Sequence, residues 1–289
     1  MAASGIDAAD LRTAIGRCEQ RRQTFDVDTA ARLAALLDWA APPLATEDLP
    51  PLWHWIYFTP GTRAGELGVD GHTLKGGFLP EVPLPRRMFA GARIRFHGPI
   101  RIGDHVERCA TVRDVQVKEG RSGPLVFVTV CHELSVGGQM ALQEEQDIVF
   151  RGAASGDSFG GSVGEAPDDA QFSRDVAPDP VLLFRYSALT FNGHRIHYDR
   201  DYAMSQEGYP GLVVQAPLIA TLLAELLRRH HPDVHMVSAR FRALLPIYDT
   251  SPFSICGRCI GDAAVLWAQA PGGGIALRLD AQLRETADA

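Results

Sequence analysis

Between Phe184 and Ala203 the chain reads Phe-Arg-Tyr-Ser-Ala-Leu-Thr-Phe-Asn-Gly-His-Arg-Ile-His-Tyr-Asp-Arg-Asp-Tyr-Ala, so that Asn192, His194 and His197 fall within six residues. Histidine is the side chain whose ordinary pKa, about 6.5, lets it accept and return a proton near neutral pH. Two imidazoles beside a neutral amide could hold and activate a water molecule. A plainer reading fits the same residues, because histidine-rich loops are often surface loops in which each ring bonds a carbonyl. Asp199 is placed to cap a short helix running through Ala203 to Gln206.

A second motif, Cys256-Gly257-Arg258-Cys259, suggests redox or zinc chemistry at first sight. Its surroundings, Phe253 to Ile260, look extended, and residues three apart on a strand face opposite sides, so the two thiols would diverge. No second pair of ligands stands at zinc spacing, and no metal site is expected.

Composition narrows the class. With 289 residues, 46% of them hydrophobic, the chain suits one large globular domain or two ordinary ones. The net charge is −7 and the basic residues do not run together, which argues against nucleic acid as a partner. No stretch approaches the roughly 18 apolar residues that cross a bilayer, and Asp7 and Asp10 stand where a secretory signal needs its apolar core. Five cysteines, an odd number, do not make a disulfide framework and suit a reducing compartment. A cytoplasmic protein without membrane attachment is expected.

Residues 152–172, rich in Gly, Ser, Asp and Ala, cannot supply a core and read as a linker between residues 1–151 and 173–289. Both parts show the same order of elements. In the first, apolar spacing at Ala30, Leu33, Ala34, Leu36 and Leu37 predicts a helix capped by Asp28 and stopped by Pro42-Pro43. Strands are predicted over Trp53–Phe58, Ala92–His97, His105–Val117, Leu125–Ser135 and Met140–Phe150. In the second, a helix is predicted over Pro217–Arg229, then strands over Val234–Leu244, Ser251–Ile260, Ala263–Gln269 and Ile275–Leu283. Arg95, Phe96, Ile102 and Asp104 recur as Arg240, Phe241, Ile247 and Asp249 at a constant offset of 145. A long helix on a strongly curved antiparallel sheet is the hot-dog arrangement, and two copies give an α+β double hot-dog with the sheets joined edge to edge.

The segment around the histidines resembles the MaoC-like hydratase/dehydratase signature, S/T-G-D-x-N-P-I-H followed by x-D-x-x-x-A. Laid on it, Asn192 falls at the signature's Asp, His194 at its Asn, Arg195 at its Pro, His197 at its catalytic His, and Asp199 and Ala203 at the trailing Asp and Ala. Phe191 to Ala203, with Glu207 to Val214 after it, is more similar to the branch holding mesaconyl-C4-CoA and itaconyl-CoA hydratases and fungal mitochondrial 3-hydroxyacyl-thioester dehydratases. The first half has no such signature and reads as a degenerate copy that helps wall the acyl or CoA channel.

That resemblance implies a hydro-lyase that adds water to a short unsaturated acyl-CoA thioester, with no cofactor, since CoA is part of the substrate. A homo-oligomer is compatible with it. His197 becomes the general base, Asn192 the residue that holds the water, and His194 an assistant to either task. Backbone N–H groups where the central helix starts would face the thioester oxygen, in the turn Gly211-Leu212-Val213-Val214-Gln215-Ala216; Pro217 has no N–H, which leaves Gln215 and Ala216 as donors. A C5-dicarboxylic acyl group would need a cation, and Arg185 and Arg195 flank the segment. Three alternatives stay open: a dehydratase of straight-chain (R)-3-hydroxyacyl thioesters, a hot-dog thioesterase using a helix carboxylate such as Glu225, and a non-catalytic acyl-CoA-binding module.

Overall fold

The helix α5 (Ala216–His230) has apolar residues on every side, and Leu218 through Leu227 are all buried. A helix of that kind needs a sheet wrapped around it. The second half supplies one from β6 (Phe172–Val176), β7 (Val234–Ala243), β8 (Phe253–Ile260), β9 (Ala263–Gln269) and β10 (Ile275–Glu285). All five strands contact α5. The cationic end, Arg228-Arg229-His230, lies at the negative pole of the helix dipole.

In this computed structural model, which describes residues 6–120, 123–152 and 164–285, the first half contributes β1 (Cys18–Thr24), β2 (Arg86–Phe96), β3 (His105–Gly120), β4 (Gly123–Val136) and β5 (Gln139–Arg151). Most of the expected linker, 153–163, lies outside the described residues. All ten strands form one antiparallel sheet in the order β1-β3-β4-β5-β2-β7-β10-β9-β8-β6. The halves meet at β2 and β7, where Ile94 lies opposite Ala239. Those two residues are equivalent under the offset of 145, so the pseudo-twofold axis of the duplication passes between them. The double hot-dog is the result.

The repeat extends beyond the strands. The Ile102 carbonyl accepts from Thr46 N–H and the Ile247 carbonyl from Val214 N–H, at 2.8 Å each. Beyond that point the halves diverge. Val214 leads into α5, whereas Thr46 leads to Pro50-Pro51 and one 3-10 turn, Trp53–Ile56. Residues 59–85 follow without a long helix, because Pro60, Gly61, Gly65, Gly68, Gly71, Gly76, Gly77, Pro80, Pro83 and Pro85 interrupt every turn of it. Val82 and Leu84 of this segment, with Leu11 of α1 (Ala8–Arg12) and Ala14 just after it, pack on β3, β4 and β5.

Three expectations are corrected. Trp53–Phe58 is not a strand but the 3-10 turn and its exit, since the prolines before it and the positive φ of Leu52 turn the chain too tightly for pairing. The first helix, α2 (Val27–Leu36), is capped by Asp26, which accepts from Thr29 N–H at 2.8 Å, so Asp28 falls in its first turn. That helix packs chiefly against the 3-10 turn and α3 (Pro180–Thr190), making it the counterpart of α3 and not of α5. The first half keeps its sheet and lacks the long helix.

Candidate active site

Helix α3 starts with Asp179 accepting from Val181 and Leu182 N–H, and Pro180 stands in its first turn. It ends where Phe191 takes a left-handed conformation, φ 50°, and Asn192 N–H returns to the Ser187 carbonyl at 2.8 Å. Asn192 Oδ1 then accepts from His194 N–H at 3.1 Å. A 3-10 turn, Arg195–His197, follows, and Asp199 caps α4 (Arg200–Ser205) through Tyr202 N–H at 3.0 Å, as expected from sequence.

The turn presses His197 into the protein, where it is 8% exposed. Its Nδ1 lies 2.7 Å from the Val213 carbonyl, an acceptor only, so Nδ1 carries the proton and Nε2 is left as a bare acceptor. Burial pushes this imidazole down to about 4 and keeps it neutral at pH 7. Burial and the neighbouring His72 and His197 rings push His194 down as well, to about 2.

The first half adds two residues that the sequence reading missed. His72 Nδ1 donates to Asp70 Oδ2 at 2.9 Å, and Asp70 Oδ1 accepts from His72 N–H at 3.0 Å. The His72 ring lies 3.9 Å from the His194 ring, whose centroid is 5.3 Å from that of His197. Asp70-Gly71-His72 is fastened to the histidine loop by Arg195 N–H donating to the Asp70 carbonyl at 2.9 Å. Gly71, at φ +85°, approaches Gly193 so closely that a Cβ would stand 1.8 Å from the Gly193 carbonyl oxygen. The only local signal was a histidine two residues after an aspartate in a glycine-rich stretch.

His72, Asn192, His194 and His197 line one cavity of about 880 Å³, which continues past Gln215, Ala216 and Pro217. The N–H groups of Val213 and Val214 are taken by the Ile196 and Ile247 carbonyls. Those of Gln215 and Ala216 have no backbone acceptor among the described residues and stand at the positive pole of α5. Gln215 holds this start in place by donating from Nε2 to the Leu183 carbonyl and Ser187 Oγ, both at 3.0 Å.

Other nominated residues serve elsewhere. Gly211 does not line the cavity; a Cβ there would meet Asp249 Oδ1 at 2.6 Å, so its bareness lets the turn close on Asp249. Arg195 is spent on Asp199, at 2.7 Å, on the Val69 carbonyl and on the Tyr202 ring. Arg185 is exposed on α3 and does not reach the cavity. Among the cations that line the cavity, Arg87 on β2 is half-buried, lies close to His72 and has no hydrogen-bond partner among the described residues. Its neighbour Arg86, on the opposite face of the strand, is paired with Glu207 at 2.8 Å. Burial lowers the pKa of Arg87, against the pull of nearby Asp70.

Asp70, His72 and His194 offer atoms within 4.8 Å of one another, which raises the question of a metal. Asp70 Oδ2 already accepts the Nδ1 proton of His72, so a cation would find two imidazole nitrogens, fewer than the three protein ligands of a catalytic zinc. Cys256 is buried and Cys259 half-buried on β8, both as free thiols. Glu225, the carboxylate a thioesterase would use, is bound by Arg228, Arg229 and Trp39 and does not line the cavity.

The model of the Htd2 family, described as hydroxyacyl-thioester dehydratase type 2, matches residues 52–249. The chain is 47% identical over 279 residues to mesaconyl-C(4)-CoA hydratase of Chloroflexus aurantiacus, covering 96% of this chain and 99% of that one. Among solved structures, a MaoC-like dehydratase from Phytophthora capsici superposes with a TM-score of 0.68 at 10% identity, covering 98% of this chain and all of the other. A Mycobacterium tuberculosis protein described as having a double hotdog fold gives 0.55 at 12% identity, over 93% and 96% of the two chains.

Proposed function

The chain belongs to the hydroxyacyl-thioester dehydratase type 2 family and is a hydro-lyase, and on that premise we propose that it hydrates a C5-dicarboxylic enoyl-CoA, mesaconyl-C4-CoA foremost and itaconyl-CoA second. Hydration of an enoyl thioester needs a held water, a base for its proton, and donors for the enolate oxygen that develops at the thioester carbonyl. His197, the base expected from the sequence, presents a neutral Nε2 to the water. Asn192 shapes the loop by accepting from His194 N–H at Oδ1, and its amide NH2 is available to donate to the water or the acyl group. The thioester oxygen fits at the Gln215 and Ala216 amides. Arg113, Lys118, Arg240 and Arg242, exposed along the same cavity, suit the CoA phosphates. No cofactor enters this scheme, and five free cysteines suit work in a reducing cytoplasm.

The observation that carries the dicarboxylic reading is Arg87. A guanidinium that faces the cavity beside the histidines and has no hydrogen-bond partner among the described residues suits a substrate whose carboxylate sits on the carbon that takes the hydroxyl. A straight acyl chain would leave it unanswered. The test is a panel of mesaconyl-C4-CoA, itaconyl-CoA and crotonyl-CoA followed by the mass gain of one water. The branched dicarboxylic esters are expected to lead crotonyl-CoA in kcat/KM by roughly 10²-fold, the cost of leaving a charged donor unpaired. Equal or faster turnover of crotonyl-CoA contradicts the dicarboxylic assignment and favours the straight-chain reading.

A further inference from the structure

Three imidazoles share the cavity, and they are not equivalent as proton carriers. His197 gives its Nδ1 proton to a backbone carbonyl, and the His194 ring makes no hydrogen bond among the described residues. His72 alone has a carboxylate, Asp70, on Nδ1. A neutral imidazole that takes a proton becomes a cation in a confined space, and an adjacent carboxylate offsets that charge where a carbonyl dipole does so only in part. The pair is also built in. Gly71 and Gly193 pack backbone to backbone, and Arg195 N–H holds the Asp70 carbonyl, so His72 is positioned by the same loop that carries His194 and His197.

We propose that His72, backed by Asp70, is the second catalytic imidazole of the site and carries the proton through the hydration. The proposal rests on the reaction given above and deepens it by assigning the proton to a residue of the first half, with His197 accepting a hydrogen bond from the water and holding it instead of taking its proton. The water is held between Nε2 of His197 and Nε2 of His72. Its oxygen bonds to the β-carbon as one O–H bond breaks toward His72, and the π pair moves onto the thioester oxygen as an enolate. When the enolate collapses, His72 returns the proton to the α-carbon. One water is consumed and both imidazoles end neutral, as they began. Asp70 is a positioning residue that keeps the proton of the resting His72 on Nδ1.

The charged and titratable groups facing His72 are Asp70, Lys75, Arg87, His194 and His197. Burial is the largest influence and lowers its pKa, Arg87 and Lys75 add to that, and Asp70 opposes it. The resting ring is therefore neutral, as a base must be. Asp70 itself is held far below the ordinary carboxylate range, chiefly by His72 against the opposing effect of burial.

The test uses His72→Gln and Asp70→Asn in the full chain, with steady-state hydration measured from pH 5 to 9 and melting to confirm folding. His72→Gln should lose roughly 10²–10⁴-fold in kcat with KM little changed, the range for a general acid–base group. Asp70→Asn should lower kcat and move the acid limb of the profile to lower pH, because the His72 imidazolium loses its carboxylate. A folded His72→Gln enzyme with kcat within threefold of wild type overturns the proposal. So does an Asp70→Asn profile whose limb stays put while kcat falls, which would mark Asp70 as a structural tie. Assaying mesaconyl-C4-CoA and crotonyl-CoA in parallel separates this outcome from a wrong substrate: if wild type turns over only crotonyl-CoA, the same variants decide the dyad on that ester.

Discussion

The two halves share a sheet and a connection but fill their concave space differently. In the second half the turn at Val214 runs into a buried fifteen-residue helix. In the first, the equivalent turn at Thr46 runs into a single 3-10 turn and then a proline- and glycine-rich segment. The second half therefore presents a helix N-terminus and a histidine loop, and the first presents a loop that reaches across to them. A duplicated fold has kept the register that joins its halves, with Ile94 opposite Ala239, while the part of the first copy that lost its helix brings His72, backed by Asp70, to the other copy's site and the following strand β2 brings Arg87.

If the second half supplies the water site, His197→Ala, which removes the Nε2 acceptor, should abolish turnover to the level of roughly 10²–10⁴-fold loss while the protein stays folded. Substantial residual hydration in a steady-state assay would move the chemistry away from this loop. The next effect concerns the junction. Gly71→Ala places a methyl group 1.8 Å from the Gly193 carbonyl at a left-handed φ, so the two loops must part. A cost of about 1–3 kcal/mol in thermal or denaturant unfolding is expected, with a fall in kcat on top of it. Unchanged activity would mean that the first-half loop is only a wall.

Asn192 sharpens the comparison further. Asn192→Asp keeps an oxygen for His194 N–H and should retain appreciable activity, whereas Asn192→Ala leaves that N–H without its partner and should lose roughly 10²–10³-fold. Equal kcat in the two variants would detach the residue from the site.

The smallest effect is a pH dependence shared by both halves. His132 in the first half and His197 in the second are both pushed down to about 4 by burial. In the unfolded chain each binds its proton near 6.5, so between those values the unfolded state holds more protons and stability falls as pH falls. Stability from these groups is complete above about 6.5 and declines toward 4. Replacing His132 by Phe should flatten that decline in denaturant midpoints; a steeper decline would mean that His132 is charged in the folded protein.

Much of the fold was legible because period-two alternation and turn residues mark β3 to β5 and β7 to β10, and an apolar run with Pro217 at its head marks α5. The histidine loop was legible because Asn192, His194, His197 and Asp199 act over short range. Trp53–Phe58 misled because its aromatic and branched residues favour strands, while Pro50-Pro51 decides the geometry. Arg185 and Arg195 misled because closeness in sequence says nothing of which face a side chain takes; Asp199, four residues on, claims Arg195. Arg87 and the Asp70–His72 pair lie more than one hundred residues from the loop they serve, a distance that local patterning does not bridge.

The central claim is that one site is assembled from both halves, and a double-mutant cycle on kcat tests it most directly. If His72 and His197 act on the same water, the His72→Gln/His197→Ala enzyme should be about as slow as the slower single variant, because each loss already removes the joint function. A double variant slowed by the full product of the two single losses would show that the residues contribute independently, and would contradict the claim.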